Sequence, residues 1–239
     1  MVNMSVKCNE KTVDRKDCNW YVLFSQIEKQ WQLCDLLCQE GVHAFLPVME
    51  YYRRDRKELD KKPMFPGYIF VRSEMNQEEF DRFLDSLEGR RWGFIKQLKD
   101  EGSAALTEDE RKFFEILLDE SGEAKMSYGY LNGSGRAVVT HGPLIGFEKV
   151  IKKTDRHNHL AYLSFDFFDH PIKVGLTILS IQELKFRNLW DEDRKMEESH
   201  GKRNRRDTED TGKAVIYDEE SEEDVVIDLK ELISRMTQL

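Results

Sequence analysis

Between Tyr51 and Lys62 the chain crowds six cations, Arg53, Arg54, Arg56, Lys57, Lys61 and Lys62, against Asp55, Glu58 and Asp60. Guanidinium and ammonium groups at that density can hold phosphate oxygens. Tyr51 and Tyr52, just before them, offer ring faces on which bases stack. A second basic set, Lys152, Lys153, Arg156, His157 and His159, surrounds one turn, with Phe147 nearby as another stacking ring. Both sets also fit a solvated loop with no ligand, and the two readings stand side by side.

Covalent and metal chemistry find little support. The histidines at 43, 141, 157, 159, 170 and 200 are scattered, and His157-x-His159 lacks the i, i+4 spacing of a helical metal site. There is no phosphate-binding glycine loop and no Gly-x-Ser-x-Gly elbow. Carboxylates stand in solvated runs. Cys8, Cys18, Cys34 and Cys38 match no standard zinc spacing and read as reduced thiols. The expectation is a binding protein, not an enzyme, with no cofactor and no metal.

The formal net charge of −9 is uneven. From Asp207 to Asp224 nine acidic residues face one cation, Lys213. The rest of the chain is therefore close to neutral and can own a basic face. No run of 18 apolar residues exists to span a membrane, and the polar N-terminus lacks the apolar core of a secretion signal. A cytoplasmic monomer is expected.

The elements that must position these residues follow from periodicity. Trp20–Gln26 reads as a strand, Glu28–Glu40 as a helix ended by Gly41, and His43–Tyr52 as a strand in which Pro47 marks an edge or a bulge. Arg53–Lys62 is the tip of a long hairpin and Pro66–Ser73 its return strand. Gln77–Leu87 has helical spacing, Trp92–Leu98 is strand-like, and Leu106–Leu118 opens on the capping box Thr107-x-x-Glu110. Strands with helices laid over one face make an α+β, ferredoxin-like plan.

The polar N-terminus, 1–19, is expected to be disordered, and the first domain to cover 20–120. Residues 121–135, rich in Gly, Ser and Asn, read as a linker. Short strands over 136–184 make a small SH3-like β-barrel. The tail, 185–239, is basic and then acidic. It reads as largely disordered, closing with an amphipathic helix over 224–239 whose stripe is Val225, Val226, Leu229, Leu232, Ile233 and Met236.

Two motifs add a resemblance. Lys62-Pro63-Met64-Phe65-Pro66-Gly67-Tyr68-Ile69-Phe70-Val71 and the Trp20-Tyr21-Val22 strand resemble the N-terminal (NGN) domain of the NusG family of transcription elongation factors. Arg136 to Glu148 resembles the opening of that family's KOW motif, although Lys149 stands where many KOW motifs have glycine. Residues 153–157 and 174–178 resemble the KOW region of the family's specialised LoaP branch.

The resemblance implies a factor that binds the RNA polymerase clamp and suppresses pausing or termination. It implies that Trp20, Phe65, Tyr68 and Phe70 line an apolar depression for the polymerase, although strand alternation equally allows them to be sheet core. It further implies that the KOW barrel contacts an RNA hairpin, the nascent transcript, or a termination or translation factor. A free-standing RNA-binding module that needs no polymerase is the alternative.

Overall fold

The computed structural model describes residues 18–98, 106–168, 170–190, 213–218 and 223–228. In chain order the first elements are β1 (Asn19–Ser25), α1 (Gln30–Gln39), β2 (His43–Phe45), β3 (Val48–Arg53), β4 (Glu58–Pro63), β5 (Tyr68–Ser73), α2 (Gln77–Ser86), β6 (Phe94–Leu98) and α3 (Glu108–Leu117). There follow β7 (Glu123–Ala124), β8 (Ser127–Leu131), β9 (Ala137–His141), β10 (Ile151–Asp155), β11 (Leu160–Phe167), β12 (His170–Ile178) and α4 (Ile181–Phe186). Strands β13 (Lys213–Asp218) and β14 (Glu223–Asp228) come last. It is a mixed α/β fold with several sheets and few helices. The described residues fall into two compact units.

The first unit is built on a sheet of order β2-β5-β1-β6, antiparallel throughout. Side chains alternate between its faces. Tyr21, Leu23, Ala44, Ile69 and Val71 point to one face, where Leu33, Cys34 and Leu37 of α1 and Phe80 and Leu84 of α2 cover them. Tyr21 stacks on Phe80 at 4.0 Å, and its hydroxyl donates to the Met75 carbonyl at 2.7 Å. Each large apolar side chain so buried contributes about 1.5–3 kcal/mol. Helix α2 starts on a capping box, with the Asn76 side chain accepting from the Glu79 N–H and the Glu79 carboxylate from the Asn76 N–H.

The Phe65-Pro66-Gly67-Tyr68 turn has a local cause. Gly67 adopts φ +88°, and a Cβ there would lie 2.8 Å from the Ser25 carbonyl oxygen. Its N–H donates to Oε1 of the buried Gln30 at 2.8 Å, and its carbonyl accepts from Ser25 N–H at 2.8 Å. Only glycine permits that approach in that conformation.

The 43–52 stretch is two strands and not one with an edge or a bulge at Pro47. Pro47 separates β2 from β3, which enter different sheets, because proline has no N–H to continue a ladder. Residues 49–64 and 112–119 lie inside the expected 20–120 domain but belong to the second compact unit. That unit contains the sheet β4-β3-β7 and a five-stranded sheet of order β10-β11-β12-β8-β9. Phe113 of α3 packs edge-on against Phe147 and Phe165, and Phe114 against Phe167.

Three expectations are corrected. Residues 121–135 are not simply a linker: β7 and β8 lie there, and β8 pairs with both β12 and β9. Asn132-Gly133-Ser134-Gly135 closes the β8–β9 hairpin, with Asn132 Oδ1 accepting from the N–H groups of Ser134 and Arg136, both at 3.0 Å. The polar residues of a tight turn and of a linker are the same types. In the tail, residues 224–228 lie in β14, paired antiparallel with β13, and not in a helix. Val225, Val226 and Ile227 are β-branched and favour a strand. The rest of the expected helix, 229–239, lies outside the described residues, as do 1–17 and 191–212. Finally, Cys18 and Cys34 are buried, Cys34 as a free thiol, but Cys38 is disulfide-bonded.

Candidate nucleic-acid interface

The second unit brings the two basic sets together. Gly175 of β12 sits against β3, so that a Cβ on it would lie 2.6 Å from the Glu50 carbonyl oxygen. This close approach lays the β3–β4 hairpin on the five-stranded sheet. Met126 N–H donates to the Glu50 carboxylate at 2.7 Å and ties the same place. As a result Arg54 Nη1 meets the His157 imidazole, 3.2 Å from Nδ1 and in contact with Nε2. Two residues on, the Tyr52 ring lies 4.5 Å from that of His159.

The predicted cations divide into two kinds. Arg53 is held by the hairpin's own carboxylates, with Asp55 and Asp60 each at 3.0 Å, and these hydrogen bonds push its guanidinium pKa further up. Arg56 pairs with Glu58 at 3.6 Å, and Lys61 with the buried Glu123 at 2.5 Å. Among the described residues, Arg54, Lys57, Lys62, Lys152, Lys153 and Arg156 make no ion pair with a carboxylate. Lys62 lies over the Tyr51 ring at 4.6 Å. Burial, then the charge of Lys173, pulls its ammonium pKa down.

Lys173 and Tyr162 escaped the sequence reading. Lys153, Tyr162 and Lys173 are cross-strand partners on β10, β11 and β12. The two ammonium groups flank the Tyr162 ring at 5.6 and 5.5 Å. Lys173 then meets the field of Lys62 on the hairpin. The result is a surface of alternating lysines and tyrosines, which suits phosphate and base together. Only alternation within β11 and β12 hinted at it, since neither strand has a local run of cations. Phe147, expected as a stacking ring, is instead fully buried against Phe113.

The aromatic quartet is placed differently from the depression that resemblance implied. Trp20 is 1%, Phe65 2%, Tyr68 6% and Phe70 0% exposed. Tyr68, Phe70 and Trp20 lie on the sheet face opposite α1 and α2, with Phe65 stacked on Phe70 and Trp20 edge-on to Phe45. The Arg72 guanidinium lies over Trp20 at 4.3 Å and Phe45 at 4.8 Å. As placed, this is aromatic core. Among the described residues, the exposed large apolar side chains of the first unit are Ile27, Trp92 and Ile95. Gln26 N–H donates to the Gly93 carbonyl at 2.8 Å and so sets the Ile27 turn beside Trp92.

Residues 18–113 match the NusG family model, described as transcription termination factor nusG. The match takes in the aromatic quartet and the basic hairpin, and leaves Lys152, Lys153, Arg156 and His157 outside it. It covers less than half of the chain. No curated protein matches the chain. A solved structure titled "Domain interaction in Thermotoga maritima NusG" is similar at 15% identity, over 69% of this chain and 96% of that one, with a TM-score of 0.36. Nothing in these comparisons distinguishes the LoaP branch. Among the described residues no helix is long and apolar enough to cross a membrane, and no group of three or more His, Cys, Asp or Glu is arranged to hold a metal ion.

Proposed function

We propose that this chain is a transcription elongation and antitermination factor that binds RNA polymerase through the NusG-like region 18–113 and RNA through the basic surface of the second unit. The observation that carries the RNA half is the Lys153–Tyr162–Lys173 row beside Lys62 and Tyr51. The polymerase half rests on the family match. No chemistry is required of the protein. A factor that binds one polymerase state better than another shifts their populations by its differential affinity.

Two surfaces of region 18–113 are offered to the polymerase clamp. One is the Trp20–Phe65–Tyr68–Phe70 face, provided that binding uncovers it. The other is the exposed Ile27–Trp92–Ile95 group. Placement in the LoaP branch, with an RNA hairpin as ligand, rests on residues 153–157 and 174–178 alone.

Transcription in vitro over a pause site and a terminator, with and without the protein, tests the proposal. Longer read-through with the protein is expected, and unchanged pausing and termination would refute it. The alternative, an RNA-binding module independent of polymerase, predicts RNA binding with no capture of core polymerase in a pull-down.

A further inference from the structure

Strands β13 and β14 pair with Asp218 opposite Glu223 and Tyr217 opposite Asp224. From Lys213 to Asp228 the sequence holds seven acidic residues against one cation. The ladder therefore gathers acidic residues at its closed end, where facing Cα atoms lie about 5 Å apart. Like charges directly opposite one another destabilise a strand pair. The pair is also a sheet of only two strands. A two-stranded hairpin is marginal in water by itself and needs something to pack on. Charge and pairing point to one kind of support, a cationic surface.

The same compact unit has such a surface. Lys153, Tyr162 and Lys173 cross three neighbouring strands, and Lys62 joins them from the β3–β4 hairpin. Lys153 and Lys173 are exposed. Among the described residues none of these lysines makes an ion pair with a carboxylate. Lys62 shows the strain of that crowding, since burial and then the charge of Lys173 pull its ammonium pKa down. An anion laid across the row relieves the repulsion. Residues 191–212 join Trp190 to Lys213 and reach at most about 75 Å. A folded unit of about 100 residues has a radius of gyration of about 13 Å. The connection is long enough for the hairpin to reach any face of its own unit.

We propose that the acidic β13–β14 hairpin docks on the Lys62–Lys153–Tyr162–Lys173 surface of its own chain and competes there with RNA. The inference rests on the RNA reading above and adds its regulation: RNA binds only where it displaces the hairpin. The hairpin is tethered, so its effective concentration at the surface does not depend on the protein concentration. A surface covered nine-tenths of the time binds RNA about tenfold more weakly than an open one. The contact joins solvent-facing charges, so it fades as salt screens them.

The test uses the full chain and two variants of equal charge change. One carries Asp218→Asn, Glu223→Gln and Asp224→Asn in the hairpin. The other carries Asp35→Asn, Glu74→Gln and Glu88→Gln, three exposed carboxylates of the first unit. A fluorescently labelled RNA hairpin is titrated against each by anisotropy at several salt concentrations. The hairpin variant should bind more tightly at low salt, by up to about tenfold, and the gain should vanish at high salt. The control should stay close to the unaltered chain. A second measurement needs no RNA: a carbodiimide, which condenses an ammonium with a carboxylate in contact, should link Lys62, Lys153 or Lys173 to Asp218, Glu223 or Asp224 within one chain at low salt. Equal affinities for all three proteins, an equal gain in the control, or absence of these links overturns the docked hairpin and leaves RNA binding in place. Links found only in covalent dimers put the hairpin on a second copy and overturn it too. If no protein binds RNA while the links form, the RNA reading fails and the competition with it.

Discussion

Gly175 and Glu50 are neighbours in space because neither backbone could come closer: a single Cβ on Gly175 would lie 2.6 Å from the Glu50 carbonyl oxygen and 2.9 Å from Met126 Sδ. This contact seats the basic hairpin on the five-stranded sheet. Gly175→Ala should therefore cost about 1–3 kcal/mol through overpacking. Gly133→Ala, where a Cβ meets nothing within 4 Å, should be close to neutral. Urea titrations of both variants check this, and equal midpoints would contradict the packing described.

Lys61 is a structural cation. Its ammonium meets the Glu123 carboxylate at 2.5 Å, and Glu123 is buried. Lys61→Met should strand that carboxylate and destabilise the fold by about 1–3 kcal/mol. Lys61→Met with Glu123→Leu should recover most of the loss, because no buried charge then remains. A double-mutant cycle by thermal unfolding shows whether the pair is coupled.

By sequence the aromatic quartet could be a partner's anchor or sheet core. With Phe70 and Phe65 buried, Phe70→Ala should cost about 3–5 kcal/mol of stability. Trp92, 73% exposed, should tolerate alanine within about 0.5 kcal/mol. If Trp92→Ala folds normally and loses polymerase in a pull-down, the Ile27–Trp92–Ile95 group is the contact. If it binds polymerase like the unaltered chain, the contact lies elsewhere.

Salt dependence separates the cations. Replacing Lys62, Lys153 and Lys173 by Ser should flatten the plot of log RNA affinity against log salt by about 0.7 for each single-strand phosphate that the variant no longer neutralises. Replacing the ion-paired Arg53 and Arg56 should change that slope far less. Equal slopes for the two sets would mean that the lysine–tyrosine surface does not meet phosphate.

Cys34 gives a pH prediction of its own. Burial, with a smaller contribution from the Asp35 charge, pushes its thiol pKa up to about 12. Because folding raises this pKa, its contribution to stability is whole below the unfolded thiol's value of about 8.5. It is lost as the pH rises towards about 12. Unfolding midpoints should therefore fall more steeply with alkaline pH in the unaltered chain than in Cys34→Ala. Alkylation of Cys34 should also wait for unfolding, and rapid labelling of the folded protein would contradict its burial.

By itself the sequence determined what local rules govern. Apolar alternation and helical spacing marked β1, α1, α2 and α3. Thr107-x-x-Glu110 marked the start of α3, with the Thr107 N–H donating to Glu110 at 2.7 Å. Pro47 marked a disturbed ladder, because a missing N–H acts wherever the residue stands, but that β2 and β3 enter different sheets was not legible. Local rules failed where one composition serves two ends. Turn residues at 132–135 passed for a linker, and Val225 and Val226 fitted a helical stripe as well as a strand. The site depended on the tertiary structure still more. Whether a cation is spent on a carboxylate or left for phosphate is decided by partners as distant as Lys61 and Glu123. Whether an aromatic is anchor or core is decided by what covers its face of the sheet. The meeting of Arg54 with His157, and the row Lys153–Tyr162–Lys173, are set by strand register and by the close approach at Gly175. These are contacts between residues far apart in the chain, to which no local periodicity responds.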